Sequence, residues 1–325
     1  MTQIMKTDGT KFNAFNRVDR TYSVISGHNL DASIFVPKEL ESDVPRPILV
    51  HFHGGGLILG HRLYEPWYGD WLLQIALSRG AVIVAPDFRL LPEAGPLDIF
   101  EDINRFWRWM YEDLPGDALS WTDLPPLKLD MDRIALHGES SGGWLAVHSC
   151  LGLPEDRIKL LITSSASIDH TVPYLTVPAP KSILGRPPIQ ARQAERTIQR
   201  YVRGILPGAI RTATDPLDLW DVFVCMIQQG YYSRILNGPG LGNLDTLKTL
   251  PGAEGFCPAW IIHGQDDTVA PPECSANFVQ QMRKLKPEVP VRFTLCPGDH
   301  GFDKDCTTED GWVKDGIAFI ENYWP

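Results

Sequence analysis

The stretch RIALHGESSGGWLAVHSCL (133–151) constrains the fold more than any other. A short apolar run, Arg133–Leu136, leads into Gly138-Glu139-Ser140-Ser141-Gly142, and an apolar helical segment, Ser141–Leu151, leaves it. That order predicts a tight turn from a buried strand into a helix, the context required for a nucleophile elbow. The turn pushes its central side chain into a strained, exposed position. Small residues two before and two after it let strand and helix approach closely. Ser140 is central, whereas Ser141 carries its hydroxyl out of frame. The N-terminus of the following helix points toward the serine, where developing negative charge is favoured. Taken alone, the pattern fits a plain Gly/Ser-rich turn equally well.

The rest of the chain alternates strands and helices around this turn. Tyr22–Ser26 and Ala32–Val36 read as an edge hairpin around Gly27, His28 and Asn29. Strands follow at Pro47–Phe52, Ala81–Ala85, Lys159–Thr163, Ala259–Ile262 and Val291–Leu295. Helices are expected at Trp67–Ser78, Asp98–Glu112, Pro272–Leu285 and Gly311–Asn322. Continuous apolar strands separated by helices argue for a mainly parallel sheet covered on both faces, an α/β fold. Between about Asp169 and Gly255 the alternation stops. A Pro-rich stretch leads there into a helix at Ala191–Arg203, with Ala194, Ile198 and Tyr201 on one face. Asp215-Pro216 reads as the start of another helix. So much sequence without a strand is too long for a plain loop. The division expected is a core of residues 1–168 and 256–325, with 169–255 as a helical cap insertion.

Three further groups complete a chemistry. His53-Gly54-Gly55-Gly56 follows a buried strand, and its glycines free the backbone so that N–H groups can face a tetrahedral intermediate. The oxyanion donors expected are Gly55, Gly56 and the backbone N–H of Ser141. His53 is expected to order the loop by hydrogen bonding. No Lys-Ser/Thr follows the glycines, which excludes a P-loop. Downstream, HGQDDTVAPPE (263–273) places Asp266 and Asp267 at the end of a strand, and CPGDHGFD (296–303) places His300 beyond the next one. A carboxylate there can orient a histidine and stabilise its charged form. The bland reading is an Asp-rich turn capping the helix near Pro272. The chain order Ser140, Asp267, His300 is that of a Ser–acid–His triad on an α/β scaffold. Gly54, Gly138, Glu139 and Gly142 are the supporting motif positions.

With these residues in place, the sequence resembles the hormone-sensitive-lipase-like group of α/β-hydrolases, also called the fold-3 carboxylesterases. The resemblance covers roughly residues 20–325. HGGGLILG (53–60) matches the oxyanion motif. PDFRLLPEAGPLDIFED (86–102) looks like the Y-R-L-A-P-E segment and the acidic residue after it, with Phe88, Arg89, Leu90, Pro92 and Glu93 in those places. GESSGG (138–143) matches an elbow usually written G-D-S-A-G-G, and HGF (300–302) matches the region of the catalytic histidine. Two features depart. The acidic segment of the group commonly reads D-P-L-x-D, whereas HGQDDTVAP looks like the H-G-x-x-D-x-x-V-P form of other α/β-hydrolases, which selects Asp267. The N-terminal extension is short, so the roof of the site is expected either to be more open or to be built mainly from residues 170–250. The resemblance implies an eight-stranded α/β-hydrolase sheet and a serine carboxylesterase-like enzyme that needs no metal or organic cofactor.

Composition narrows the partners. A net charge of −10 argues against nucleic acid or an anionic membrane as the main partner and leaves a small-molecule ester or lactone. No apolar run is long enough to span a bilayer, and the first twenty residues lack the apolar core of a secretory signal, so a soluble cytoplasmic protein is the expectation. The six cysteines are scattered and read as mostly buried thiols. Exposed apolar residues on the first or last helix leave room for a homodimer. Hydrolysis of small or medium-sized carboxylic esters is the leading expectation. Lactone hydrolysis or acyl transfer on a specialised metabolite stands beside it, as does a non-catalytic binding protein on a hydrolase scaffold.

Overall fold

A computed structural model describes residues 9–40, 44–121, 124, 126–236 and 244–325. The start of the N-terminal stretch read for a secretory signal lies outside the described residues, as does 237–243 of the expected cap. Eight strands form one sheet: β1 (Phe15–Ile25), β2 (His28–Pro37), β3 (Arg46–Phe52), β4 (Val82–Pro86), β5 (Leu129–Glu139), β6 (Leu160–Ser164), β7 (Ala259–Gly264) and β8 (Val291–Cys296). Their order is β1-β2-β4-β3-β5-β6-β7-β8, antiparallel where β2 meets β1 and β4 and parallel elsewhere.

The edge hairpin is longer than its apolar pattern suggested, because β1 begins at Phe15 rather than Tyr22. Its turn sits at Ser26 (φ 49°) and Gly27 (φ 80°), one residue earlier than expected. Two successive positive φ values match the twist of a two-residue hairpin. β5 likewise starts four residues early, at Leu129, where half-buried residues blur the pattern. The helix expected from Trp67 begins at Asp70, after a short 3-10 turn at Glu65–Trp67.

Helices α1 (Asp70–Ser78), α2 (Pro96–Glu112), α3 (Leu114–Ala118) and α4 (Ser141–Gly152) follow β3, β4 and β5. The inner strands β3, β4, β6 and β7 bury both faces, as a parallel sheet between helical layers must. In β3, Ile48, Val50 and Phe52 enter one core with Phe106 of α2 and Trp144 of α4. Leu49 points the other way, into a core with Trp71 of α1, Trp260 and Trp324.

After β6, among the described residues, the chain is helical until β7. Helices α5 (Pro173–Thr176), α6 (Ala191–Gly204), α7 (Pro216–Gln228), α8 (Tyr232–Leu236) and α9 (Thr246–Thr249) occupy this span. α6 buries Ala194 and Ile198 as its spacing predicted, and Asp215 caps α7 by accepting from Leu217 N at 2.9 Å. The span is tied to the sheet end by a two-way backbone bridge between Gly60 and Thr214 (2.9 and 3.1 Å). Finally α10 (Glu273–Leu285) joins β7 to β8, and α11 (Gly311–Tyr323) closes the chain.

Strand register then decides where function can sit. Phe52 lies opposite Gly138, Glu139 opposite Ser164 and Gly264 opposite Cys296. The loops leaving β3, β5, β6, β7 and β8 therefore emerge along one carboxyl edge, where open α/β sheets place their ligands. All six cysteines are free thiols; Cys150 and Cys257, distant in sequence, bring their sulfurs to 3.5 Å. No helix among the described residues is long and apolar enough to cross a membrane.

Candidate active site

Ser140 sits between β5 and α4 with φ 53° and ψ −120°. This is a costly backbone for a residue with a Cβ, and it persists because its surroundings over-determine it. Its N–H donates to Ser164 O (2.9 Å), while its carbonyl accepts from Gly143 N and Ser167 N (3.1 Å each). The close packing expected at the flanking small residues is present. A Cβ on Gly142 would stand 2.2 Å from Phe52 O, so any larger residue would push α4 off β3.

The glycine loop lies against this elbow. Gly55 and Gly56 both take positive φ, 100° and 65°. Gly54 approaches so closely that a Cβ there would meet Ser140 Cβ at 3.1 Å. Among the described residues, nothing accepts a hydrogen bond from the N–H of Gly55, Gly56 or Ser141. The Ser141 hydroxyl has a task that sequence did not reveal. Its Oγ accepts from Leu57 N at 3.1 Å and fastens the loop to the elbow. The His53 ring stacks on Phe88 (4.5 Å) and its Nδ1 donates to Gly54 O at 2.8 Å. Burial pushes the His53 imidazole down to about 3, so it stays neutral.

The two loops beyond β7 and β8 bring Asp267 and His300 together. His300 Nδ1 donates to Asp267 Oδ2 at 2.7 Å, which leaves Nε2 with its free lone pair. Asp266, the competing carboxylate, is exposed and accepts from Gly298 N instead. Asp267 is buried, and its other oxygen accepts from Val269 N (2.9 Å) and Ala270 N (2.8 Å). A second imidazole, His263, reaches Oδ2 at 3.2 Å. Burial would raise the Asp267 carboxyl, but His300 and His263 outweigh it and hold the group well below the usual carboxylate range. Burial would lower His300. The charge and hydrogen bond of Asp267 overcome that, helped by Glu139 and Asp299, and leave it above the ordinary histidine value.

Ser140 and His300 line one cavity, together with Gly55, Glu139 and a wall of Leu59, Trp67, Trp220 and Phe223. Ser140 also lines a second, smaller cavity, on the side of Gly56, Leu175, Ile227 and Tyr232. Glu139 is a buried acid whose Oε2 has no partner among the described residues. Burial, with the nearby Asp303, lifts it to about 8, against the pull of the neighbouring His300. No cluster of three or more His, Cys, Asp or Glu side chains among the described residues has the geometry to hold a metal.

The aromatic wall was not legible in advance. Trp220 and Phe223 come from α7 and Tyr232 from α8, where they look like ordinary core residues. The Tyr232 hydroxyl donates to Gly56 O at 2.8 Å and so touches the glycine loop directly. The segment 86–102 acquires a physical account as well. Arg89 forms hydrogen bonds of 2.8–3.0 Å with Asp102, while Glu93 takes Arg211 (2.6 and 2.9 Å) and the Tyr201 hydroxyl (2.5 Å). One end of the motif is bound to α2, the other to the helical span.

Comparison with known proteins agrees with this fold. A family model described as the alpha/beta hydrolase fold matches residues 49–302. A probable carboxylesterase of Phoma sp. is 41% identical over 319 residues, 97% of this chain and 98% of that protein. A non-reducing polyketide synthase of Aspergillus calidoustus is 32% identical over 163 residues, 48% of this chain but only 6% of the synthase. Among solved structures, an esterase of Mycobacterium marinum superposes with a TM-score of 0.59 at 18% identity, covering 98% of this chain and 85% of that one. The chain belongs to the α/β-hydrolase fold family, in its hormone-sensitive-lipase-like branch of serine-esterase-like hydrolases.

Proposed function

We propose that the protein hydrolyses carboxylic esters of small or medium-sized molecules through an acyl-enzyme on Ser140. The observation that carries this reading is the convergence of a strained elbow serine and an Asp-bound histidine on one cavity. In the proposed cycle His300 Nε2 takes the proton of the Ser140 hydroxyl as its oxygen attacks the ester carbonyl. Asp267 holds the ring in the Nδ1–H form and stabilises the imidazolium. The N–H groups of Gly55, Gly56 and Ser141 receive the oxyanion, each worth about 2.7–4 kcal/mol of barrier if it resembles a measured oxyanion donor. The imidazolium then protonates the leaving alkoxide, and a water activated by His300 releases the acid.

Residues 169–255 act in this reading as a cap over a core of 1–168 and 256–325. Support comes from Trp220 and Phe223 in the cavity wall and from Tyr232 on the glycine loop. The match to part of a polyketide synthase favours a second reading on the same site, in which the acyl group is polyketide-like and a lactone or thioester takes the place of the simple ester.

Hydrolysis of p-nitrophenyl esters from acetate to palmitate, by wild type and Ser140→Ala, tests the proposal. Turnover of the short esters should disappear in the variant, and a fluorophosphonate should label Ser140 in the wild type alone. A folded wild type with neither turnover nor labelling would leave a binding protein as the better reading.

A further inference from the structure

The smaller cavity at Ser140 is walled largely by apolar groups, among them Leu175, Ile227, Val269 and Ala270. The Tyr232 hydroxyl there is already committed to Gly56 O. One polar group in this cavity takes no part in the proposed cycle: Ser167, in the loop after β6. Its N–H donates to Ser140 O at 3.1 Å, which fixes it beside the elbow.

Behind Ser167 stands His170. Its Nε2 lies 3.3 Å from Ser167 Oγ, and its Nδ1 has no partner among the described residues. The ring is buried, 7% exposed, edge-on to Trp144 (4.8 Å) and stacked with Tyr232 (5.5 Å). Burial pushes the imidazole down to about 3, so it is neutral and carries one N–H. A proton on Nδ1 would strand a buried donor. A proton on Nε2 is received by Ser167 Oγ and leaves only a bare acceptor at Nδ1, the more tolerable of the two. In that tautomer the histidine occupies a lone pair of Ser167 and leaves its O–H uncommitted. The result is an oriented hydrogen-bond donor in an apolar pocket next to the nucleophile.

We propose that Ser167, oriented by His170, selects acyl groups that carry an acceptor oxygen within two carbons of the reacting carbonyl, such as hydroxy or oxo acyl esters. The inference rests on the esterase reading and names the acyl class of that site. A site built to hydrogen-bond a substrate oxygen discriminates against the analogue lacking it, because its own donor is then left unpaired. Ser167 is a specificity-determining residue in this scheme and His170 a positioning residue.

The test compares p-nitrophenyl butyrate with the α-hydroxy and β-hydroxy butyrates and takes the ratio of kcat/KM for each hydroxy ester to that for the plain one. Ser167→Ala should lower the ratio about five- to tenfold for the preferred position of the oxygen, the scale of one neutral hydrogen bond. Ser167→Cys, similar in size but a weak donor, should lower it similarly, and thermal unfolding checks that both variants fold. His170→Phe should lower the ratio by about two- to threefold, and His170→Gln, which restores an N–H, should recover it. Ratios unchanged within about twofold in both Ser167 variants would overturn the inference while leaving the esterase reading intact. A wild type that turns over none of the three esters and takes no fluorophosphonate label would remove the esterase reading, and this inference with it.

Discussion

The carboxyl edge of the sheet and the helical span between β6 and β7 meet at one cavity but are built on different terms. The sheet edge contributes backbone: a serine at positive φ, two glycines at positive φ and a carboxylate saturated by two backbone N–H groups and two imidazoles. The helical span contributes side chains, Trp220, Phe223 and Tyr232, which act through packing and, for Tyr232, one hydrogen bond to Gly56 O. Backbone geometry admits few sequences, and packing admits many. The first region should therefore fail abruptly when perturbed, and the second by degrees.

The largest effect should come from acid, which attacks the burial on which both regions depend. His53 and His137 at the sheet edge and His170 beneath the span are pushed down to about 3 by burial, and His148 to about 4. His51, 2.8 Å from His137 through their Nδ1 atoms, is also depressed by burial, with a contribution from that neighbour. In the unfolded chain these groups take protons near pH 6.5, so between that value and about 3–4 the unfolded state binds more protons. Their contribution to stability is complete above the unfolded value and drains away as pH falls, by up to ~1.4 kcal/mol per group per pH unit. The raised Glu139 and Asp87 carboxyls work in the opposite sense over this window and offset part of the loss, so the thermal midpoint should fall by about 5 °C between pH 7 and pH 5. A midpoint that stays level over that range would mean that these imidazoles reach water more freely than their burial implies.

Next in size is the carboxylate that the sheet edge saturates. Asp267→Asn should lower kcat/KM by about 10³–10⁴ with the chain still folded, because the amide no longer fixes the Nδ1–H form of His300 or stabilises its cation. Asp266→Asn, next to it but exposed, should stay within about twofold. The same pair separates a rigid site from a forgiving one. Comparable losses in both variants would mean that both carboxylates support His300, and the proposed triad would have to be redrawn. In the wild type, the acid limb of kcat/KM should lie above the ordinary histidine value of 6.5, since Asp267 outweighs burial at His300.

This contrast also explains what sequence disclosed. HGGG, GESSG and the late Asp and His could be placed because backbone demands leave a signature: glycine where φ is positive or a strand must be approached, and loops at strand ends. The sheet was legible for the same reason, its strands being continuous apolar runs. The early start of β1 was not, since its outer half alternates buried and exposed residues without a strong apolar run. Trp220, Phe223 and Tyr232 look like core residues in any helix, and nothing in sequence separates a residue facing a cavity from one facing a neighbour. His263 and the Ser141 hydroxyl were missed because their partners, Asp267 and Leu57 N, are set by loop geometry. Ser167 and His170 were hidden because a serine and a histidine three apart carry no motif at all.

The smallest and most informative perturbation is at Gly56, where the two regions touch. A Cβ there would lie 2.3 Å from the Tyr232 hydroxyl and 2.4 Å from Phe223 Cε2, at a φ of 65° that disfavours any side chain. Gly56→Ala should lower kcat/KM by about 10-fold to 100-fold, as the loop shifts and one proposed oxyanion donor leaves its place. The obstruction comes from side chains, so it can be relieved from the other side. Adding Phe223→Ala removes one of the two contacts and should restore part of the loss, a coupling that a double-mutant cycle measures. The backbone strain at φ 65° would persist, so recovery should stop short of wild type. Full recovery would make the contact between the regions the sole function of Gly56. No recovery would place its role in the backbone alone, and the helical span would then shape the pocket without steering the chemistry.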